Sequence, residues 1–469
     1  MKTTSADEKS PAPTGKGLIA WLLCAFLALF LGTWLLSAWL VRHAMSGGPR
    51  LTSYQKDFVL AVSDFPSMVR AALVEVQTII GDRPVALLMD RRGVETRNWS
   101  RHFPEPGDPG FLLFSGVDPG AGHATARLLR ISDGKELARW DPDWPAIYER
   151  ISDKKLAPKG SVHNALAMHP LLLADGDIVF NTNNALVRLG TCTGKPVWVV
   201  DEIMHHSNEL APDGTIWTPT VTFDGLPENP WLQERIRDDG LARVSLDGRV
   251  LERHSLVRAF RDSGLTHLLM GTTGGVILED PIHLNEIKAA PADTKYWKKG
   301  DLLLSARHLS TVLLYRPSTR RVVWYQMGPW MNQHSPDFID DHRISVFDNN
   351  IYAGAPDQYS FVSRTDINRV FVYDFETAQV SQPYAPLLDK ARPRTITAGR
   401  ARILPDGGLF IEETQAGRHL RFTTDRLLWS RVNDYDQTRI GQVAWSRYLT
   451  PEQVEPALKA LAARQCPAK

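Results

Sequence analysis

The sequence predicts an all-β chain folded as a six-bladed β-propeller, and three observations carry that reading. Short β-rich runs with Gly, Asp and Pro turns occupy residues 84 to 447, where helical periodicity is absent. Within them one hairpin signature recurs six times, its turns separated by roughly fifty to seventy residues. In several units an Asp-Gly turn marks a second, earlier hairpin, so each unit holds four strands. Radial repetition of four-stranded sheets protects their edges in a way a sandwich does not, and a sandwich would not explain six recurrences.

The six hairpins lie at Ala126–Ile131 through Gly134 to Trp140, Ala185–Leu189 through Gly194 to Trp198, Leu241–Val244 through Gly248 to Leu251, Val312–Arg316 through Thr319 to Trp324, Arg369–Tyr373 through Thr377 to Val380, and Arg418–Phe422 through Asp425 to Trp429. The preceding turns are Asp175-Gly176, Asp213-Gly214 and Asp406-Gly407, with Asp341-His342 in a fourth unit.

Elements outside the propeller follow from composition. Residues 1–17 are polar and proline-containing, which predicts a disordered cytoplasmic tail. Leu18 to Val41 carries no charge, exceeds the roughly 20 residues that cross a bilayer, and has Trp21, Trp34 and Trp39 in or near its ends. It predicts a transmembrane anchor; Ala44-Met45-Ser46 resembles a signal-peptidase site, but the apolar run is long for a cleaved signal. A single N-terminal span predicts an inner-membrane protein with its propeller in the periplasm or extracellular space. Phe58, Val62, Phe65, Val69, Leu73, Val76 and Ile80, at spacings of three and four, predict a helical stalk over 50–82. Thr450-Pro451-Glu452-Gln453 has the form of a capping box opening a helix over 450–465.

Composition also bounds function. A 469-residue chain with 43% hydrophobic and 23% charged residues is globular, and a net charge of +1 offers no field for nucleic acid. Of three cysteines, Cys24 falls in the apolar segment, leaving Cys192 and Cys466 as a possible pair. No His/Cys cluster has zinc spacing, so neither metal nor other cofactor is expected.

Three histidines stand at nearly matching offsets. His206 and His334 each lie seven residues before a turn aspartate (Asp213, Asp341), and His169 six before Asp175. The innermost strand of each blade lines the central channel, so imidazoles at its start should converge at the channel mouth. Together with donors such as Asn208 and Gln333 they suit an oxyanion of sulfate or phosphate type. Alternatively, each histidine hydrogen-bonds within its own blade.

The segments His205-His206-Ser207-Asn208 before Pro212-Asp213-Gly214, and Gln333-His334 before Val346-Phe347-Asp348-Asn349, resemble the signature segments of the bacterial arylsulfotransferase family over roughly residues 110 to 435. That resemblance implies an exported six-bladed propeller that moves a sulfuryl group from an aryl sulfate ester to a phenol without a nucleotide donor or cofactor. It implies that His206, with His205 beside it, and His334 hold or protonate sulfate-ester oxygens; Asn208, Gln333, Asn349, Arg364 and His169 are the expected substrate contacts around them. The family's arginine after Phe-Asp-Asn-Gly has no counterpart before Arg364. Its nucleophilic histidine falls in a strand that here reads Leu409-Phe410-Ile411-Glu412-Glu413-Thr414, with His419 only in the next strand. Glu413 or Glu412 is then a candidate base for direct transfer. The competing expectation is a propeller without chemistry, binding a glycan, a lipid-linked intermediate or a protein. A quinone-dependent dehydrogenase propeller would require eight blades and a calcium site that the sequence does not offer.

Overall fold

The computed structural model describes residues 15–45, 51–81, 84–91, 97–101, 107–152, 162–182, 184–222, 236–270, 280–354, 361–363 and 367–464. The tail expected over 1–17 falls mostly outside them, as do Arg364 and Cys466. The chain forms two compact units, 1–73 and 74–469.

The first unit contains the helix Gly15–Met45, whose segment Ile19–Ala44 is long and apolar enough to cross a membrane. A signal sequence shares that property. The helix Ser53–Gly81 begins in the same unit and carries Pro66 within it. Cys24 is a free thiol, whereas Cys192 is disulfide-bonded.

The second unit is a six-bladed β-propeller. Blade 1 orders its strands, from the channel outward, as Arg447–Leu449, Phe111–Asp118, His123–Arg130 and Glu136–Trp140. Its innermost strand thus comes from the end of the chain, Leu449 pairing with Phe111. Blades 2 to 5 are each contiguous. Their inner strands are Met168–Leu172, Glu209–Leu210, Leu284–Ala289 and His334–Phe338. Blade 6 begins with Arg400–Ile403 and gains a fifth, outermost strand, Trp99–Arg101, paired with Leu427–Val432.

All six hairpins expected from sequence are the third and fourth strands of their blades. Asp175-Gly176, Asp213-Gly214 and Asp406-Gly407 join first to second strands in blades 2, 3 and 6, and Asp341-His342 does so in blade 5. Apolar residues on the sheet faces fill the spaces between neighbouring blades. Trp140, Trp144, Ile178 and Phe180 pack between blades 1 and 2, and Trp297, Trp330, Ile344 and Phe371 between blades 4 and 5. At roughly 1.5–3 kcal/mol for each large side chain removed from water, these interfaces hold the ring together. The C-terminal helix Pro451–Ala463 starts at Thr450, and the capping box with Gln453 is formed. Its Val454 packs into the core between blades 1 and 2.

Candidate functional site

One backbone feature repeats around the channel. At the start of each inner strand stands a residue with positive φ: His169 (49°), His206 (55°), His283 (51°), Ser335 (47°), Gly399 (114°) and Trp445 (51°), in blades 2, 3, 4, 5, 6 and 1. The left-handed conformation costs a side-chain-bearing residue roughly 1–2 kcal/mol, so the surrounding fold must enforce it. In blades 2, 4 and 5 the strand pairing shifts at this point, between Met168 and Leu171, Leu284 and Glu286, and His334 and Asp337. Such irregularities re-aim side chains, and here imidazoles gather at one end of the channel.

Side-chain amides from neighbouring blades hold these bends. Asn181 donates to the carbonyl of His206. Asn208 donates to the carbonyls of His169 (2.9 Å) and Val179 (3.3 Å). Asn285 donates to the carbonyl of Gln333 (2.9 Å), whose own amide nitrogen reaches Ser305 Oγ (3.0 Å) and the carbonyl of Thr311 (3.0 Å). Asn208 and Gln333, expected as substrate contacts, are fully buried and spend their donors on neighbouring blades. Their bonds hold the bends that carry the histidines.

His334 is fully buried, and its environment fixes its tautomer. Asn349 donates through Nδ2 to the carbonyls of Ala398 (2.8 Å) and Thr395 (3.3 Å), so its Oδ1 must be the acceptor facing His334 Nδ1 at 2.6 Å. Nδ1 therefore carries the proton and Nε2 the lone pair. That Nε2 has no hydrogen-bond partner. Burial, with the nearby Arg307 guanidinium, pushes the ring's pKa down to about 3, keeping it neutral. Asn349, expected to touch substrate, orients His334.

His206 is half-buried. Its Nδ1 lies 2.8 Å from His205 Nδ1, so one proton is shared and each ring fixes the other's tautomer. Behind His205, Asp239 Oδ1 is 3.6 Å from Nε2. Asp239 accepts from Arg237 (3.0 Å) and from the amide of Leu284 (2.6 Å). Burial lowers the pKa of both histidines, and the neighbouring imidazoles and Arg237 add to this. His169 is fully buried and stacks on Trp445 at 4.7 Å; neither of its ring nitrogens has a partner.

Three groups at this mouth were missed in the sequence. The edge of His283 meets His206 (ring centroids 5.1 Å), and His283 lies beside His308 (4.3 Å). Arg307 is buried, and its Nε lacks a partner; burial pushes its pKa down to about 10, against the pull of Asp280. It provides a guanidinium near His334, where Arg364, outside the described residues, was expected. The available signal was the histidine immediately before an inner strand. In blade 4 a long connection, Ala290–Asp301, replaces the short turn, so the offset that marked His206 is not visible there.

Glu413 is placed elsewhere. Its oxygens accept from the amide of Arg394 (2.6 Å) and from Arg418 Nε, which leaves the expected base engaged in an ion pair. Glu412 is likewise spent on the amides of Trp445 (2.8 Å) and Ser446 and on Thr414 Oγ1 (2.5 Å). His419 is buried against Phe410 and Phe114 and pairs with Ser446 Oγ (2.7 Å).

Farther down the channel lies a buried ionic cluster. Glu209 accepts from Arg400 (2.9 Å) and Arg447 (2.7 Å) and pairs with Lys288 (3.2 Å). A cavity of about 310 Å³ borders these groups, walled by Leu171, Phe410 and Tyr448.

Fold and site together define a propeller whose channel mouth is lined by imidazoles and a buried guanidinium, a class suited to holding an oxyanion. The chain belongs to the arylsulfotransferase (ASST) family, whose model matches residues 169–433. Membership implies aryl sulfate donors and phenolic acceptors in general. No curated protein matches the chain significantly. Among solved structures it is similar to a Bacteroides caccae protein of unknown function (12% identity, 73% of this chain and 99% of that one, TM-score 0.44). Kuenenia stuttgartiensis hydrazine synthase aligns at 11% identity over 71% of this chain and 80% of that one (TM-score 0.38). An inactive Staphylococcus aureus virginiamycin B lyase with quinupristin aligns at 12% over 70% and 85% (TM-score 0.35). Likenesses this low carry no functional weight.

Proposed function

We propose that this chain is an arylsulfotransferase-like enzyme, anchored in the inner membrane by the helix containing Ile19–Ala44, with its propeller outside the cytoplasm. It transfers a sulfuryl group from a phenolic sulfate ester to an acceptor hydroxyl at the histidine mouth. The observation that carries this reading is the pair formed by His334, with its unpartnered Nε2 lone pair, and the neighbouring Arg307, whose Nε is also unpartnered. A neutral nucleophile beside a buried cation is what attack on an anionic sulfate ester requires.

In the first step His334 Nε2 attacks sulfur. The N–S bond forms, the S–O bond to the aryl group breaks, and the phenolate departs and takes its proton from solvent. In the second step the acceptor phenol attacks the sulfuryl group, the N–S bond breaks, and neutral His206 accepts the phenol proton as base and releases it to solvent. Arg307 offsets charge on the sulfuryl oxygens throughout. His334 thereby assumes the role of the histidine that residues 409–414 lack. Direct transfer through Glu413 finds no support in its contacts with Arg394 and Arg418.

A second reading, a propeller that binds a glycan, lipid-linked intermediate or protein without chemistry, draws on the complete burial of His334. The two separate in an assay of the purified full-length chain in detergent, with p-nitrophenyl sulfate as donor and a panel of phenols as acceptors. Acceptor-dependent nitrophenol release that His334→Ala and His206→Ala both abolish is the expected result. Activity retained by His334→Ala would sink the assignment of the nucleophile. A folded wild-type chain with no release would favour the binding propeller.

A further inference from the structure

Beside the funnel, blade 4 brings together donors that the sulfuryl-transfer reading does not use. Asp280 presents two oxygens to two imidazoles. Its carboxylate Oδ2 lies 2.6 Å from His283 Nδ1 and 4.0 Å from His308 Nδ1, and its main-chain oxygen lies 2.6 Å from His308 Nδ1. One ligand atom from each of the three residues falls within 4.8 Å of the others. The other carboxylate oxygen is held by the amide of His283 (3.1 Å), which fixes the carboxylate plane. His283 is locked at positive φ, and the two rings lie 4.3 Å apart, tilted by 30°. The side chain of His308 is 29% exposed, so a solute can reach the group.

We propose that Asp280, His283 and His308 form a binding site for a divalent transition-metal ion of the zinc, cobalt or nickel type. The donors are Asp280 Oδ2, the Asp280 carbonyl and the two Nδ1 atoms, an N₂O₂ set that suits these borderline ions better than calcium or magnesium. Without metal, two N–H protons point from the imidazoles to the Asp280 oxygens. On binding, each ring presents its Nδ1 lone pair and carries its proton on Nε2, and the ion takes the place between nitrogen and oxygen. A tetrahedral ion with bonds of about 2 Å separates its ligands by roughly 3.3 Å, between the 2.6 and 4.0 Å seen here. Arg237, a nearby cation, is paired with Asp239, so its charge is largely offset. Arg307, next to His308 in the chain, acts on it electrostatically. With Arg307, the ion would present two positive groups to an anion in the funnel.

Metal binding is read without any aryl sulfate, so this inference and the sulfuryl-transfer reading fail separately. The purified full-length chain in detergent is stripped with chelator and titrated with Zn²⁺ by calorimetry and with Co²⁺ by visible ligand-field absorption. One ion per chain with tetrahedral-type Co²⁺ bands is expected. His308→Ala, at a partly exposed position where folding is preserved, should abolish the bands, and Asp280→Asn should weaken affinity at least 10-fold. Asp340, Asp341 and His342, of which Asp341 is exposed, form the other group of this kind among the described residues, and His342→Ala should change nothing. Absence of stoichiometric binding by the wild-type chain, or bands that persist in His308→Ala and vanish in His342→Ala, would overturn the proposal.

Discussion

Two arcs of the channel mouth share a backbone and differ in chemistry. All six inner strands begin with a left-handed residue, but blades 2 to 5 place His169, His206, His283 and, one residue before Ser335, His334 there, whereas blades 6 and 1 place Gly399 and Trp445. The conformation belongs to the fold, and on the proposed reading the imidazoles belong to the function. Where no imidazole is called for, blade 6 uses the residue that adopts the bend most cheaply, and blade 1 uses a tryptophan that backs His169. A family of propellers can thus keep its geometry and redistribute its reactive groups by changing side chains at six equivalent positions.

Breaking the reactive arc should have the largest effect. His334→Ala is expected to lower the transfer rate by about 10²–10⁴-fold or more in single-turnover measurements, with thermal unfolding little changed. On the structural arc, Gly399→Ala should cost about 3 kcal/mol in chemical denaturation. An added Cβ would stand 2.3 Å from Thr395 Cγ2 and 2.8 Å from Phe347 Cε1, at a φ of 114°. It should also reduce activity, because Asn349, which orients His334, bonds to the carbonyls of Thr395 and Ala398 just ahead of that bend. Arg307→Gln should raise KM roughly 10- to 100-fold, as expected when one charge-assisted hydrogen bond to the substrate is removed, while leaving the fold intact.

The smallest effect lies below both arcs. Glu286 is buried with neither carboxylate oxygen hydrogen-bonded. Burial, and then the charge of Glu209, push its pKa up to about 7 against the pull of Arg400 and Lys288. A carboxyl raised on folding contributes its stability below its unfolded value near 4.3, and loses it as pH rises through about 7. The wild-type chain should therefore lose on the order of 1–3 kcal/mol between pH 4.5 and 8 from this group. Glu286→Gln should flatten that part of the stability profile measured by denaturant unfolding at the two pH values.

What was legible in the sequence was local. Asp-Gly turns, paired β-runs and the Thr450/Gln453 capping box are encoded within a few residues, and they yielded the six blades and the last helix. His169, His206 and His334 were visible because a short turn follows each at a countable distance. His283 was hidden by the long connection after its strand, and Arg307 and His308 by their place in a short turn between the second and third strands of blade 4. Trp445 was hidden because its strand completes a blade begun by Phe111, far away in sequence. The roles of Asn208 and Gln333 depend on carbonyls of neighbouring blades, which no spacing within one segment can reveal. The Asp280 cluster escaped a search for zinc spacing because one of its oxygens is main-chain and its histidines lie on different elements.

The pairing of Leu449 with Phe111 also sets a timetable. A chain made N-terminus first presents three strands of blade 1 while the fourth has yet to be synthesised. During that interval the Phe111 edge offers unpaired amides and carbonyls, a template for association with other chains. The ring matures in one late event, when Arg447–Leu449 arrives and the Val454-bearing helix seals the seam. Loss of the last two dozen or so residues would then leave an open, adhesive ring, which makes the end of this chain its quality-control checkpoint.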